Sequence, residues 1–185
     1  MTPRSYDALV FDFDGTLVDS DEALVVAFEQ LGVERSTVTF GHAIGEELDR
    51  LGLALDDYAE AYDVEVVRAF DGVDRVIPQL GRWAVCSNKH PVSATAELTR
   101  LGWHPEVALF AEDFHWAHKS VAPILDLLGL TADRVAVVGD SEGDLRCALE
   151  VGCDMYWAGW NPRVPDDPEV GTVLSRPAQL LELYR

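Results

Sequence analysis

Five short apolar runs, at residues 8–12, 83–87, 106–110, 135–139 and 155–158, constrain the fold of this chain more than any other feature. Each has the length of a buried strand, and helical patterns separate the later ones. Residues 92–101 carry Ala94, Leu98 and Leu101, with Pro91 suited to a first helical turn and Gly102 to a stop. Residues 120–128 carry Ile124, Leu125, Leu127 and Leu128 before Gly129, and residues 142–151 carry Leu145, Ala148, Leu149 and Val151 before Gly152. Strands alternating with helices predict an α/β fold, a Rossmann-like three-layer core around a parallel five-stranded sheet.

The stretch 20–72 breaks that alternation, offering helical stripes and no convincing strand. Leu24, Ala27, Phe28 and Leu31 form one stripe, and Ile44, Leu48, Leu51 and Leu55 a second. A third helix is expected through Tyr58, Ala61, Tyr62 and Val66, ending near Phe70-Asp71-Gly72. An irregular segment at residues 37–43, with Gly41 and His42, separates the first two. The expected organisation is a core of residues 1–19 and 73–185, with residues 20–72 inserted as a small helical cap after the first strand. Ligands of open α/β sheets bind beyond the C-terminal strand ends, so this insertion would roof the site.

A chain of 185 residues can bury one good core and carry a small appended subdomain. Its net charge of −19, from 33 acidic and 14 basic residues, disfavours nucleic acid and anionic membrane as partners. An anionic substrate would meet a repulsive average field, so any anion site needs local neutralisation. No apolar stretch approaches membrane-spanning length and no leader pattern opens the chain, so a cytoplasmic location is expected. Cys86, Cys147 and Cys153 lack metal or redox spacing and read as buried reduced thiols.

Four motifs stand just after strands or at helix starts. Asp12-Phe13-Asp14-Gly15-Thr16 closes the first strand, and alternation along a strand sends Asp12 and Asp14 to the same side. Ser87-Asn88-Lys89 follows the second strand and precedes a helix start, where a hydroxyl and free amides suit a phosphate. Lys119, at the start of the helix expected over 120–128, is a compact cation able to neutralise phosphate and nucleophile. Gly139-Asp140-Ser141-Glu142-Gly143-Asp144 follows the strand of Val135 to Val138. A carboxylate attacks phosphorus only when charge on both partners is neutralised. Mg²⁺ held by Asp12, Asp140 and the backbone carbonyl of Asp14 would do this. Attack by one carboxylate, with proton transfer by Asp14, would run through an aspartyl-phosphate.

These motifs, with Gly15-Thr16-Leu17-Val18-Asp19-Ser20, Ile44-Gly45 and Gly72-Val73, resemble the haloacid dehalogenase-like hydrolase superfamily over essentially the whole chain. The closest likeness is to its phosphoglycolate phosphatase-like branch. The resemblance implies that Asp12 is the nucleophile, Asp14 the general acid/base and Asp140 a Mg²⁺ ligand, with Asp144 supporting the metal water or Lys119. It implies that Ser87 binds the transferring phosphoryl group, that Thr16 and Asn88 complete its cradle, and that His42 in the cap contacts the leaving group. The implied partner is a small phosphorylated metabolite, with the chain a monomer or homodimer. Two departures stand out: a shorter cap than is usual for the branch, and Lys119-Ser120-Val121-Ala122-Pro123 where Lys-Pro is common. His115, Trp116 and His118 are also unusual, and Lys89 supports the phosphate pocket or points to solvent. His90 and His104 read as loop residues, and Trp157 and Trp160 as packing or rim residues.

The expected function is therefore a Mg²⁺-dependent phosphatase acting on a small phosphomonoester. A phosphomutase of the β-phosphoglucomutase type ranks second, but its usual early cap histidine has no counterpart between Gly15 and Gly41. A non-catalytic binding protein is a third reading, which the intact acids oppose. Dehalogenation is disfavoured by Asp14, and Schiff-base phosphonate hydrolysis by the lack of any lysine before Lys89.

Overall fold

The computed structural model describes residues 5–40 and 44–184. Its centre is strand β1 (Ala8–Phe11), every residue of which is buried. A strand covered on both faces reads as an uninterrupted apolar run rather than an alternating one. β2 (Val18–Asp19), α1 (Asp21–Gln30), α2 (Ile44–Leu51), α3 (Leu55–Ala61) and β3 (Arg68–Ala69) follow. Then come α4 (Val73–Val76), β4 (Arg82–Cys86), α5 (Pro91–Leu101), β5 (Val107–Leu109) and α6 (Ala122–Leu128). The chain closes through β6 (Val135–Gly139), α7 (Glu142–Val151), β7 (Asp154–Ala158) and β8 (Thr172–Leu174).

The main sheet has the order β5-β4-β1-β6-β7-β8. All its pairs are parallel, with Ala8 opposite Arg82 on one side and Val135 on the other. This is the α/β sheet expected, with six strands rather than five. The extra one, β8, is three residues long with only Leu174 buried, too short and too polar to stand out as an apolar run.

Alternate β1 residues feed two apolar layers. Leu9 and Phe11 pack with Val73, Val76, Ala94, Leu98 and Leu180, while Ala8 and Val10 pack with Ile124, Leu128, Cys147 and Ala148. Both layers are needed because a parallel sheet exposes neither face. The three cysteines are free and buried. Among the described residues no helix is long and apolar enough to cross a membrane.

Within 20–72 two expectations are corrected. A strand does occur there: β3 pairs antiparallel with β2, Val18 opposite Ala69 and Asp19 opposite Arg68. Two residues are too few to give a periodic signal. The third helix stops at Ala61, because Tyr62 turns into extended backbone, and Val66 is half exposed rather than part of its stripe. Phe28 of α1 meets Tyr58 of α3 with ring centroids 5.2 Å apart, and Tyr58 meets Tyr62 at 5.6 Å.

Candidate active site

Asp12 continues the sheet at the C-terminal end of β1, its N–H donating to the Val138 carbonyl at 2.9 Å. Phe13 is fully buried, so its neighbours Asp12 and Asp14 both turn to the opposite side, into one cavity. The Phe13 carbonyl accepts from the N–H groups of Leu17 and Val18, and Gly15 N–H donates to the Val18 carbonyl, making a tight loop. Gly15 sits at φ +78°, and a Cβ there would lie 2.4 Å from Asp140 Oδ2. Glycine alone allows the two strand-end loops to approach this closely.

Lys119 Nζ lies 2.9 Å from Asp12 Oδ1 and 2.6 Å from Asp144 Oδ1. It precedes α6 by three residues rather than opening the helix, and its carbonyl accepts from Cys147 Sγ. Asp144 is the third residue of α7 and its other oxygen closes a capping box, accepting from the Ser141 hydroxyl and from the N–H groups of Asp140 and Ser141. This contact demands Gly139, since a Cβ there would lie 2.2 Å from Asp144 Cγ. One oxygen from each of Asp12, Asp140 and Asp144 lies within 4.8 Å of the others.

Asp140 is held by three donors: Thr16 Oγ1 at 3.0 Å, Asn161 Nδ2 at 3.1 Å and Arg163 Nη2 at 3.0 Å. Burial raises the Asp12 carboxyl to about 7 despite Lys119, with Asp144 and Asp140 adding repulsion. Burial and Asp144 likewise raise Asp140 to about 6, opposed by Arg163 and Thr16. Burial alone would lower the Lys119 ammonium, but Asp12 and Asp144 outweigh it and hold it above its ordinary range.

Asp14 has its own cation. Lys89 Nζ donates to Asp14 Oδ1 at 2.7 Å and to the Tyr62 hydroxyl at 2.8 Å, and stands 3.3 Å from Glu97 Oε1. Glu97 is fully buried, and burial pushes its carboxyl up to about 7, with Asp14 reinforcing and Lys89 opposing. Ser87 and Asn88 line the same cavity, and Asn88 Oδ1 is buried without a hydrogen-bond partner. The cavity has a volume of about 450 Å³.

The structure thus gathers Asp12, Asp14, Ser87, Asn88, Lys119 and Asp140 around one cavity, with Asp144 buried against Lys119. Thr16 differs: it is fully buried and its hydroxyl is given to Asp140 rather than offered to a ligand. His42 lies outside the described residues. Lys89 points inward. His118 borders the cavity and pairs with Glu46 at 3.6 Å, while His90, at the N-cap of α5, stacks near Trp116 with centroids 5.7 Å apart. Trp157 donates to the Val170 carbonyl, and Trp160 to the carbonyl of Thr16, as packing and rim residues do.

Asn161, Arg163 and Glu97 escaped the sequence reading, and Tyr62 enters it only as part of a helical stripe. Asn161 and Arg163 follow β7, and the rule that ligands sit beyond the C-terminal ends of parallel strands was the available signal. Glu97, an acid on the apolar side of α5, was a weaker one.

Residues 9–158 match the haloacid dehalogenase-like hydrolase family, and the chain belongs to it. It is 24% identical over 212 aligned positions to a phosphoglycolate phosphatase of Xanthomonas campestris pv. campestris, the match covering 95% of each chain. A solved structure from Lactobacillus plantarum shares its fold with a TM-score of 0.77 at 20% identity, over 97% of this chain and 100% of that one. Another from Clostridium acetobutylicum has a TM-score of 0.79 at 15% identity, over 96% and 97%.

Proposed function

We propose that this hydrolase is a Mg²⁺-dependent phosphatase that cleaves a small phosphomonoester through an aspartyl-phosphate on Asp12. The observation that carries this reading is the separate partnering of two carboxylates facing one cavity: Asp12 with Lys119, Asp14 with Lys89. The name of the curated relatives supports the same reaction class.

Lys119 and the Phe13 N–H both address Asp12 Oδ1, so Oδ2 is the oxygen that attacks. As the new P–O bond forms, the ester P–O bond breaks, and Asp14 gives the leaving alkoxide its proton. Asp14 then takes a proton from water, which attacks phosphorus and breaks the bond to Asp12, releasing phosphate. Ser87 and Asn88 offer donors to the phosphoryl oxygens, and Lys119 neutralises charge beside the nucleophile. Hard carboxylate oxygens clustered at Asp12, Asp140 and Asp144 fit a small dication, with Asp12, Asp140 and the Asp14 carbonyl as its proposed holders and Asp144 as support. Bound there, Mg²⁺ would supply the positive charge that lets two anions meet.

Thr16 and Asn161 act through Asp140 by fixing its carboxylate. Residues 20–72 serve as the cap, and the core is 1–19 with 73–185; the antiparallel contact of β2 with β3 ties the two crossings together. His42 is assigned to the leaving-group side of that cap.

Phosphate release from a panel of metabolite esters, with and without Mg²⁺, tests the proposal. Asp12→Asn should lose at least about 10³-fold in kcat while keeping its circular dichroism. An unchanged rate in Asp12→Asn removes the reading, as does full activity in excess chelator.

A further inference from the structure

We propose that the alcohol released by this enzyme carries no negative charge, so that phosphoglycolate itself is a disfavoured substrate. This deepens the phosphatase reading above and rests on it. The phosphoryl end of a monoester is accommodated by Asp12, Ser87, Asn88 and Lys119, which leaves the alcohol in the space walled by the insertion. The insertion contributes Leu24, Phe40, Ile44, Tyr58 and Tyr62 to that wall, an apolar and aromatic lining. Among the described residues its charged contributions are all acids: Asp21, Glu46 and Glu47.

None of the insertion's three arginines borders the cavity among the described residues. Arg35 is bound by Glu22 and Glu29, Arg50 by Glu47, and Arg68 by the carbonyls of Glu65 and Val67. The core's cations near the reacting end are committed too. Lys89 serves Asp14 and Glu97, and Lys119 serves Asp12 and Asp144. Arg163 bridges Asp140 to Asp21 and lies over the Phe40 ring at 5.0 Å. Arg146 borders the cavity from α7, outside the insertion, and is exposed.

A carboxylate held against the insertion's wall would therefore add a charge to an acid-rich surface without gaining a cation from it, the exposed Arg146 standing on α7 instead. Like charges at short range and partial burial are costly, and specificity commonly comes from such repulsion.

Three esters of matched size test this: phosphoglycolate, hydroxyethyl phosphate and aminoethyl phosphate, whose far ends are anionic, neutral and cationic. The assays run at saturating Mg²⁺ and about pH 8, above the ordinary histidine value of about 6.5. The neutral and cationic esters should each exceed phosphoglycolate by about tenfold or more in kcat/KM, mainly through KM. Phosphoglycolate turnover equal to or faster than both would overturn the inference while leaving the phosphatase reading intact. No release above the Asp12→Asn blank from any ester, in this set or the wider panel, would overturn the phosphatase reading itself, and the inference with it.

Discussion

Lys89 and Lys119 are the only lysines in a chain with 14 basic residues, and both are buried between pairs of carboxylates. A compact ammonium can stand between two acids at 2.6 and 2.9 Å, where the planar arginine fork would need more room. Lys119→Met should therefore lower kcat by about a hundredfold or more. It should also destabilise the fold by about 3–5 kcal/mol in urea titrations, because Asp12 and Asp144 are left facing each other. Lys119→Arg should not restore the rate. Glu97 makes a separate prediction about pH. Its carboxyl is raised to about 7 from an ordinary value near 4.5, so the folded state holds its proton more tightly than the unfolded chain does. Its contribution is fully present at low pH and is lost as pH climbs through about 7. Glu97→Gln should flatten the fall in Tm between about pH 5 and pH 8, measured without divalent ions. A slope equal to that of the wild type would contradict the burial argument.

At the scale of elements, the strand-end loops are where small residues decide the site. Gly139→Ala places a methyl group against Asp144 Cγ and should push that carboxylate away from both Lys119 and the α7 cap. A loss of about 2 kcal/mol or more in stability and a collapse of kcat should appear together, by denaturation and phosphate release. Ile124→Ala is a useful contrast. It lies on α6, fully buried and away from the cavity wall, and should cost about 2–5 kcal/mol while leaving KM unchanged. The sheet was legible wherever a strand is buried on both faces, as in β1 and β6, because burial leaves an unbroken apolar run. β3 and β8 were not legible, since two or three residues with mixed exposure carry no period. Asp12, Ser87 and Asp140 were legible because each directly follows such a run, whereas Lys119 follows none and lies three residues before its helix. Thr16 shows the limit: position marked it as near the site, but only the fold shows that its hydroxyl turns to Asp140. Asn161 was hidden for the opposite reason, reaching the Gly15 carbonyl and Asp140 from 146 and 21 residues away along the chain.

For the molecule as a whole, the charge of −19 surrounds a site proposed to take an anion. The average field should slow the approach of a phosphate ester, and salt should relieve that repulsion. At saturating Mg²⁺, kcat/KM should rise as ionic strength goes from about 20 to 200 mM, with kcat little changed. A monotonic fall would mean that local cations outweigh the global charge. The pairing of β2 with β3 carries a different consequence. The insertion leaves and rejoins the core through neighbouring residues, Val18 opposite Ala69, so its two ends already form the stem of a hairpin. Such a stem can be closed by a short turn, which would make the proposed cap an exchangeable cassette, replaceable by a different one without rethreading the sheet.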